Sequence, residues 1–233
     1  MKLLFSLLMI SVSTITMAQK VGVFHEEEMK TMEDAHGRPI RPQTTYKVEG
    51  TPFYPDNYSA ARLSFYNGKK NSAVKAKLNL YDNTILYITD KGVEMEVIVP
   101  VMKIEFADTV HGGYSVVFQN GFSGTSLKEK IYYQVLDSGK LTLLKQIFVT
   151  YRDFTPYGTA VITRQFDQKP TWFILNDSGA IKIGKNGENI LEILADKKNE
   201  ITTYISTHSL RLKYEADLVS VIRYYNSLFT GKK

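Results

Sequence analysis

The chain has 233 residues, of which 43% are hydrophobic and 23% charged, and a formal net charge of +5. That composition excludes a disordered or low-complexity chain, which would lack the apolar surface needed to offset chain entropy. There is no cysteine, which excludes disulfides and anchoring through a lipid-modified cysteine, so burial must supply the stability.

The opening stretch "MKLLFSLLMISVSTITMAQK" has the layout of a secretory signal peptide. Lys2 gives the positive n-region, Leu3 to Ile15 the apolar core, and Thr16-Met17-Ala18 a small residue at the cleavage position. Residues 1–18 are therefore read as a signal removed after Ala18. A transmembrane span needs about 20 predominantly apolar residues. This run is shorter, and no transmembrane segment is expected in the mature chain. The implied location is exported: periplasmic, outer-membrane-associated or extracellular.

Residues 19–42 read as an extended charged arm, with two prolines and no sustained period. The arm holds the most tempting ligand cluster: His25, Glu26, Glu27, Glu28, Glu33, Asp34 and His36. The zinc-protease helix motif needs a second histidine where Met29 stands, and no third histidine or cysteine lies nearby. A solvated acidic arm is the simpler reading.

From residue 43 a single domain is expected, with a β-rich body over 43–185. "AVKAKLNLY" sets Val74, Ala76, Leu78 and Leu80 against Lys75, Lys77 and Asn79, the two-residue period of a half-buried strand. Asp82-Asn83 interrupts it and "TILYIT" resumes, which reads as a hairpin. "DKG" turns the chain again, and Val93, Met95, Val97 and Val99 then alternate with Glu94 and Glu96. Turn residues recur at Asn67-Gly68, His111-Gly112-Gly113, Asn120-Gly121, Asp137-Ser138-Gly139 and Asp177-Ser178-Gly179. Between them lie "YSVVFQ", "KIYYQVL", "LTLLKQIFVTY" and "TWFIL". About eight to ten strands, mostly antiparallel, are predicted.

Chemistry-bearing motifs are sparse in this body. "GFSGTSLKEK" resembles two motifs and satisfies neither. An esterase elbow needs glycine two residues after the serine, whereas Gly124 follows Ser123 directly and Thr125 comes next. A phosphate loop needs Gly-Lys-Ser/Thr, and Lys128 is displaced. A Ser-His-Asp triad would have to use His111, in a Gly-Gly turn, or His208, in a helix connection, and neither is marked for catalysis. Glycoside chemistry needs two carboxylates held across a cleft, and no pair stands out. Trp172, the only tryptophan, reads as a core or interface residue ahead of a ligand platform.

Over 186–233 the period changes to 3.6, and three short helices are predicted. Ile190, Leu191 and Leu194 share one side, then Ile201, Tyr204 and Ile205, with Asp196 as N-cap between them. Leu218, Val221, Ile222, Tyr225 and Leu228 form the apolar stripe of the last helix, expected to dock on the β-rich body. Glu215, Asp217, Ser220, Asn226 and Ser227 are assigned to its polar side. A helix-turn-helix reading of these elements conflicts with export, and no nucleic-acid partner is expected. An outer-membrane barrel conflicts with the helical finish and with Lys75, Lys77, Glu94 and Glu96 in an outward register.

The fold class predicted is thus α+β: a largely antiparallel β-rich body with a C-terminal group of short helices. The segments "GTPFYPDNY", "LNLYDNTILYI", "GKLTLLKQ", "ILADKKNEITTYI" and "VIRYYNSL" also give the chain a pattern of turns and apolar positions. In that pattern, over most of residues 50–228, it resembles an uncharacterised group of exported Bacteroidota-type proteins. The resemblance implies secretion and a β-rich body with a helical end. It carries no established activity and transfers no functional residue.

No catalytic, cofactor-binding or metal-ligating residue is assigned, and no cofactor is expected. The function expected is that of an exported cell-envelope protein with a non-enzymatic structural or assembly role and an envelope protein or glycan as partner. A binding module for a glycan, peptide or lipid is the alternative, resting on 15 Tyr and 12 Phe. A hydrolase comes last.

Overall fold

Alternation along the chain sets the register of the first hairpin. In the computed structural model Ala76 and Leu78 of β4 (Lys70–Asn79) are fully buried while Lys75 is exposed. β5 (Thr84–Ile88) pairs with it antiparallel, Leu78 opposite Ile85 and Lys77 opposite Leu86. A slip of one residue would exchange the two faces, so burial itself selects this pairing. The side chain of Asn79 organises the turn, its Oδ1 accepting from the N–H groups of Tyr81 and Asp82.

The structure describes residues 37–39, 47–68, 70–107, 115–122 and 126–230. Every described residue belongs to one compact unit, Asp34–Lys233. The fold is α+β: one mixed but overwhelmingly antiparallel sheet, followed by short helices. The remaining strands are β1 (Gly37–Pro39), β2 (Lys47–Glu49), β3 (Phe53–Phe65), β6 (Glu94–Val97), β7 (Val101–Ala107) and β8 (Ser115–Gln119). They continue with β9 (Tyr133–Asp137), β10 (Thr142–Phe154), β11 (Thr163–Asn176) and β12 (Gly179–Lys182). Their order is β1-β6-β5-β4-β3-β7-β8-β9-β10-β11-β12, with β2 added in parallel to β11. Twelve strands thus stand among the described residues, two more than the upper expectation, and the excess is matched by the three-residue strands β1 and β2. β1 lies within the stretch read as an extended arm, yet it pairs with β6, and Arg38 makes a two-pronged contact with Glu96.

The order forces the sheet to roll. Only Ile98, Val99 and Pro100 join β6 to β7, although β5, β4 and β3 lie between them. Four inter-strand steps on a flat sheet span about 19 Å, and the link reaches at most about 14 Å. β3 to β6 therefore curl over the following strands. Ala61, Leu63, Leu78 and Ile85 from the curled part pack with Ile104, Phe106, Phe118 and Val149 in one core.

The β10–β11 hairpin is the longest in the sheet, and its two faces serve different cores. Leu143 and Ile174 face the helices. Their neighbours Leu144 and Phe173 pack with Leu127, Tyr133 and Ala180 on the opposite face. β11 exceeds the predicted "TWFIL" by beginning at Thr163, despite Pro170. Proline is tolerated because β12 pairs only with Phe173–Asn176 and β2 only with Thr163–Gln165, which leaves one side of Pro170 without a strand partner among the described residues.

The C-terminal part contains α1 (Ile190–Ile193), α2 (Lys198–Thr207) and α3 (Glu215–Thr230), with single 3₁₀ turns at Lys185–Gly187 and Ala195–Lys197. Leu218, Val221, Ile222 and Tyr225 are buried against Leu141, Leu143 and Ile174, so the tail helix does dock on the sheet. Leu228 is only half-buried. Two assignments change. Asp196 is not an N-cap: both its carboxylate oxygens accept from the Tyr225 hydroxyl, because a phenol in a buried side chain needs an acceptor. Asn226 is not on the polar side but buried, and it pins α3 to the β9–β10 turn. Its Oδ1 accepts from Leu141 N–H at 2.9 Å, and its Nδ2 donates to Leu141 C=O at 2.9 Å and to Asp137 at 2.8 Å.

Candidate functional site

The rolled edge of the sheet creates a cleft of about 510 Å³. Its walls come from four separated regions: Tyr66 after β3, Asn83 to Ile85 at the start of β5, Val97 to Val101 around the β6–β7 link, and Asn120, Gly121, Glu129, Lys130 and Tyr132 between β8 and β9. Volume and composition fall within the range of small-molecule sites, which combine apolar walls with a few fixed polar groups. Ile85, Val97 and Val99 provide the apolar part, and Ile98 is 55% exposed at the opening. The polar part is organised by the chain itself. Tyr66 Oη donates to Asn120 Oδ1 at 2.8 Å, and Asn120 Nδ2 donates to Val101 C=O at 3.1 Å. Tyr132 Oη donates to the same carbonyl at 2.6 Å, and Asn83 Oδ1 accepts from Tyr132 N–H. Burial raises the Tyr132 phenol well above its ordinary range, so it stays a donor across the physiological range. The lining carries one carboxylate, Glu129, and one ammonium, Lys130. Their charges balance, and a pair of carboxylates facing each other is not part of this wall.

On the outer face, Lys77 lies over the rings of Phe53 (4.2 Å) and Tyr58 (4.3 Å) and bridges to Glu94 at 3.1 Å. Tyr58 also donates to Glu94. Burial and the Glu94 contact both push the Tyr58 phenol upward. Burial alone would raise the Glu94 carboxyl, but the bonds from Tyr58 and Lys77 outweigh it and hold the group below its usual range. The outward register expected of Lys77 and Glu94 is present, yet Lys77 is largely covered by aromatic rings. Sequence reasoning could not find this cluster, because its third member, Tyr58, lies 36 positions from Glu94 on a strand that shows no clean alternation.

The hairpin end between β10 and β11 is a third feature. The stretch from Phe154 to Thr163 carries no charged side chain, and Tyr157 is wholly exposed. Val161 and Ile162 are about half exposed beside it. Arg164 clamps Asp153 with two short contacts, and Arg152 holds Gln165, so the stem below the tip is cross-linked.

Of the residues weighed in the sequence, His25, Glu26, Glu27, Glu28, Glu33, Asp34, His36, His111, Ser123, Gly124 and Thr125 lie outside the described residues. His208 is exposed at the end of α2, its Nδ1 at 2.9 Å from Tyr204 C=O and its ring against Tyr204. Trp172 packs against the helical core and donates its indole N–H to Glu215 at 3.0 Å, and it also walls a second, smaller cleft. Among the described residues no group of three His, Asp or Glu side chains could hold a metal ion. None of the described helices is long and apolar enough to cross a membrane. No family model, characterised protein or solved structure matches the chain.

Proposed function

We propose that the chain is an exported cell-envelope protein that works by binding, with the cleft between Tyr66 and Tyr132 as its site for a small uncharged ligand such as a glycan unit. The cleft carries this reading. Its charges cancel, its apolar wall suits the flat face of a sugar ring, and its hydroxyl and amide groups are held in place before any ligand arrives. The test is an NMR titration of the full mature chain with neutral mono- and oligosaccharides. Saturable shifts at Thr84, Ile98 and Asn120 are expected, weakened about tenfold by Ile98→Glu, which places an unpaired charge at the opening. Shifts scattered away from the cleft, or none with any sugar, overturn the proposal.

The non-enzymatic assembly role has its support elsewhere, at the exposed hairpin tip. An uncharged, aromatic tip on a cross-linked stem suits docking against an apolar surface of an envelope partner. Tyr157→Ser with Ile162→Ser separates the two roles. Loss of envelope association with unchanged sugar titration assigns the tip to assembly, and full retention of envelope association removes that role.

A further inference from the structure

We propose that the second cleft, beside Trp172, binds a small anionic saccharide, a sugar bearing a carboxylate or a phosphate. The cleft holds about 340 Å³ at the seam between β11–β12 and the helices, and Lys182, Lys185 and Lys213 are among its lining residues while no carboxylate is. Three ammonium groups around one small cleft repel one another, and a bound anion relieves that repulsion.

Two acids border the cleft and neither pairs with its lysines: Glu188 lies against Gly184 without forming an ion pair with the described residues. Glu215 is already engaged by Lys145 at 2.9 Å and by the Trp172 N–H at 3.0 Å. Lys182 and Lys185 are exposed and form no ion pair with the described residues, and Lys213 lies over the ring of Tyr214, a contact that leaves its charge in place. The apolar half of the cleft comes from Trp172, Ile183 and Leu218. Because Glu215 fixes the indole edge, the ring is oriented in advance, as a stacking platform for a sugar should be. A volume near the lower limit of ligand pockets suits one or two sugar rings.

The frame of the cleft is rigid. Asn189, just before α1, holds the segment that leaves β12, accepting from Gly184 N–H at 2.7 Å and donating to Lys182 C=O at 3.0 Å. Gly187 has φ +75, and a Cβ there would lie 2.5 Å from Leu212 Cβ, so glycine lets the 3₁₀ turn seat directly against the wall residue Leu212.

Trp172 is the only tryptophan in the chain, so tryptophan fluorescence, excited beyond the absorption of the tyrosines, reports from this cleft. The mature chain is titrated with glucuronate, glucose 6-phosphate, glucose and inorganic phosphate, with calorimetry in parallel. Saturable binding of both acidic sugars is expected, about tenfold or more tighter than glucose or phosphate, and weakening as salt is added. Lys185→Gln with Lys213→Gln should weaken it about tenfold or more while melting stays unchanged, and Lys75→Gln, a remote exposed lysine, should not. Absence of binding by both methods overturns the proposal. So does equal affinity for glucose, equal affinity for phosphate alone, or an equal loss in Lys75→Gln.

Discussion

Asn226 offers the sharpest test of how the helical part is held. Replacing it with alanine removes three hydrogen bonds at once and leaves the N–H and C=O of Leu141 without their partner beneath α3. Each buried polar group left unsatisfied costs about 1–3 kcal/mol, partly relieved if water enters the space vacated by the amide. Asn226→Ala should therefore cost about 2–4 kcal/mol, which for a chain of this size lowers Tm by about 5–15 °C. Thermal and urea unfolding measure it, with Ser227→Ala as control because Ser227 is exposed on the same helix. Asn226→Asp adds a second readout. It replaces the donor with an oxygen 2.8 Å from the Asp137 carboxylate, which raises the folded-state pKa of the new carboxyl above its unfolded value. Its stability should then be retained in acid and lost as pH rises. If Asn226→Ala melts within about 2 °C of the parent chain, the amide does not pin the helix and the reasoning fails.

Three further outcomes are expected. Tyr58→Phe removes a bond that holds the Glu94 carboxyl down; that stability is present above the unfolded carboxylate pKa and lost as pH falls through the folded one. The gap between parent and variant should thus be at most about 1 kcal/mol at pH 7 and close in acid. Tyr225, pushed up to about 12 by burial and by Asp196, contributes stability that is complete below its ordinary pKa of 10 and lost as pH rises towards 12; Tyr225→Phe should lack this alkaline loss in difference melts. Gly187→Ala should lower stability by about 1–3 kcal/mol through strain at positive φ and the clash with Leu212, and an unchanged melt would show that the turn can relax.

What could be read in the sequence was whatever a single period controls. Lys75, Ala76, Lys77 and Leu78 announce the faces of β4, and Leu218, Val221, Ile222 and Tyr225 announce the buried side of α3, because a strand or helix with one wet face must repeat every 2 or 3.6 residues. Where two cores meet one element, the period is lost. β10 puts Leu143 and Leu144 into different cores and both are fully buried, so the strand reads as a plain apolar run whose ends cannot be placed. β3 pairs with β4 through two register shifts, which break its alternation, and only its last residues look like a strand. Asn226 follows the same logic in reverse. Its polarity marks it for water, yet the surface α3 covers includes the backbone of Leu141, and a backbone needs a polar partner that a helical wheel cannot show.

The cleft between Tyr66 and Tyr132 is harder still, because it arises from the roll of the sheet. Tyr66, Asn83, Val99 and Asn120 meet only because the β6–β7 link is too short for a flat sheet. The one local trace of that constraint is Pro100, which ends the link immediately before β7 and stiffens a connection that has no slack. Lengthening the link should accordingly act on the cleft before it acts on the core. Inserting two glycines after Ile98 should loosen the wall made by Val97 to Val101, while Ile104 and Phe106 further along β7 and Phe118 on β8 keep their packing.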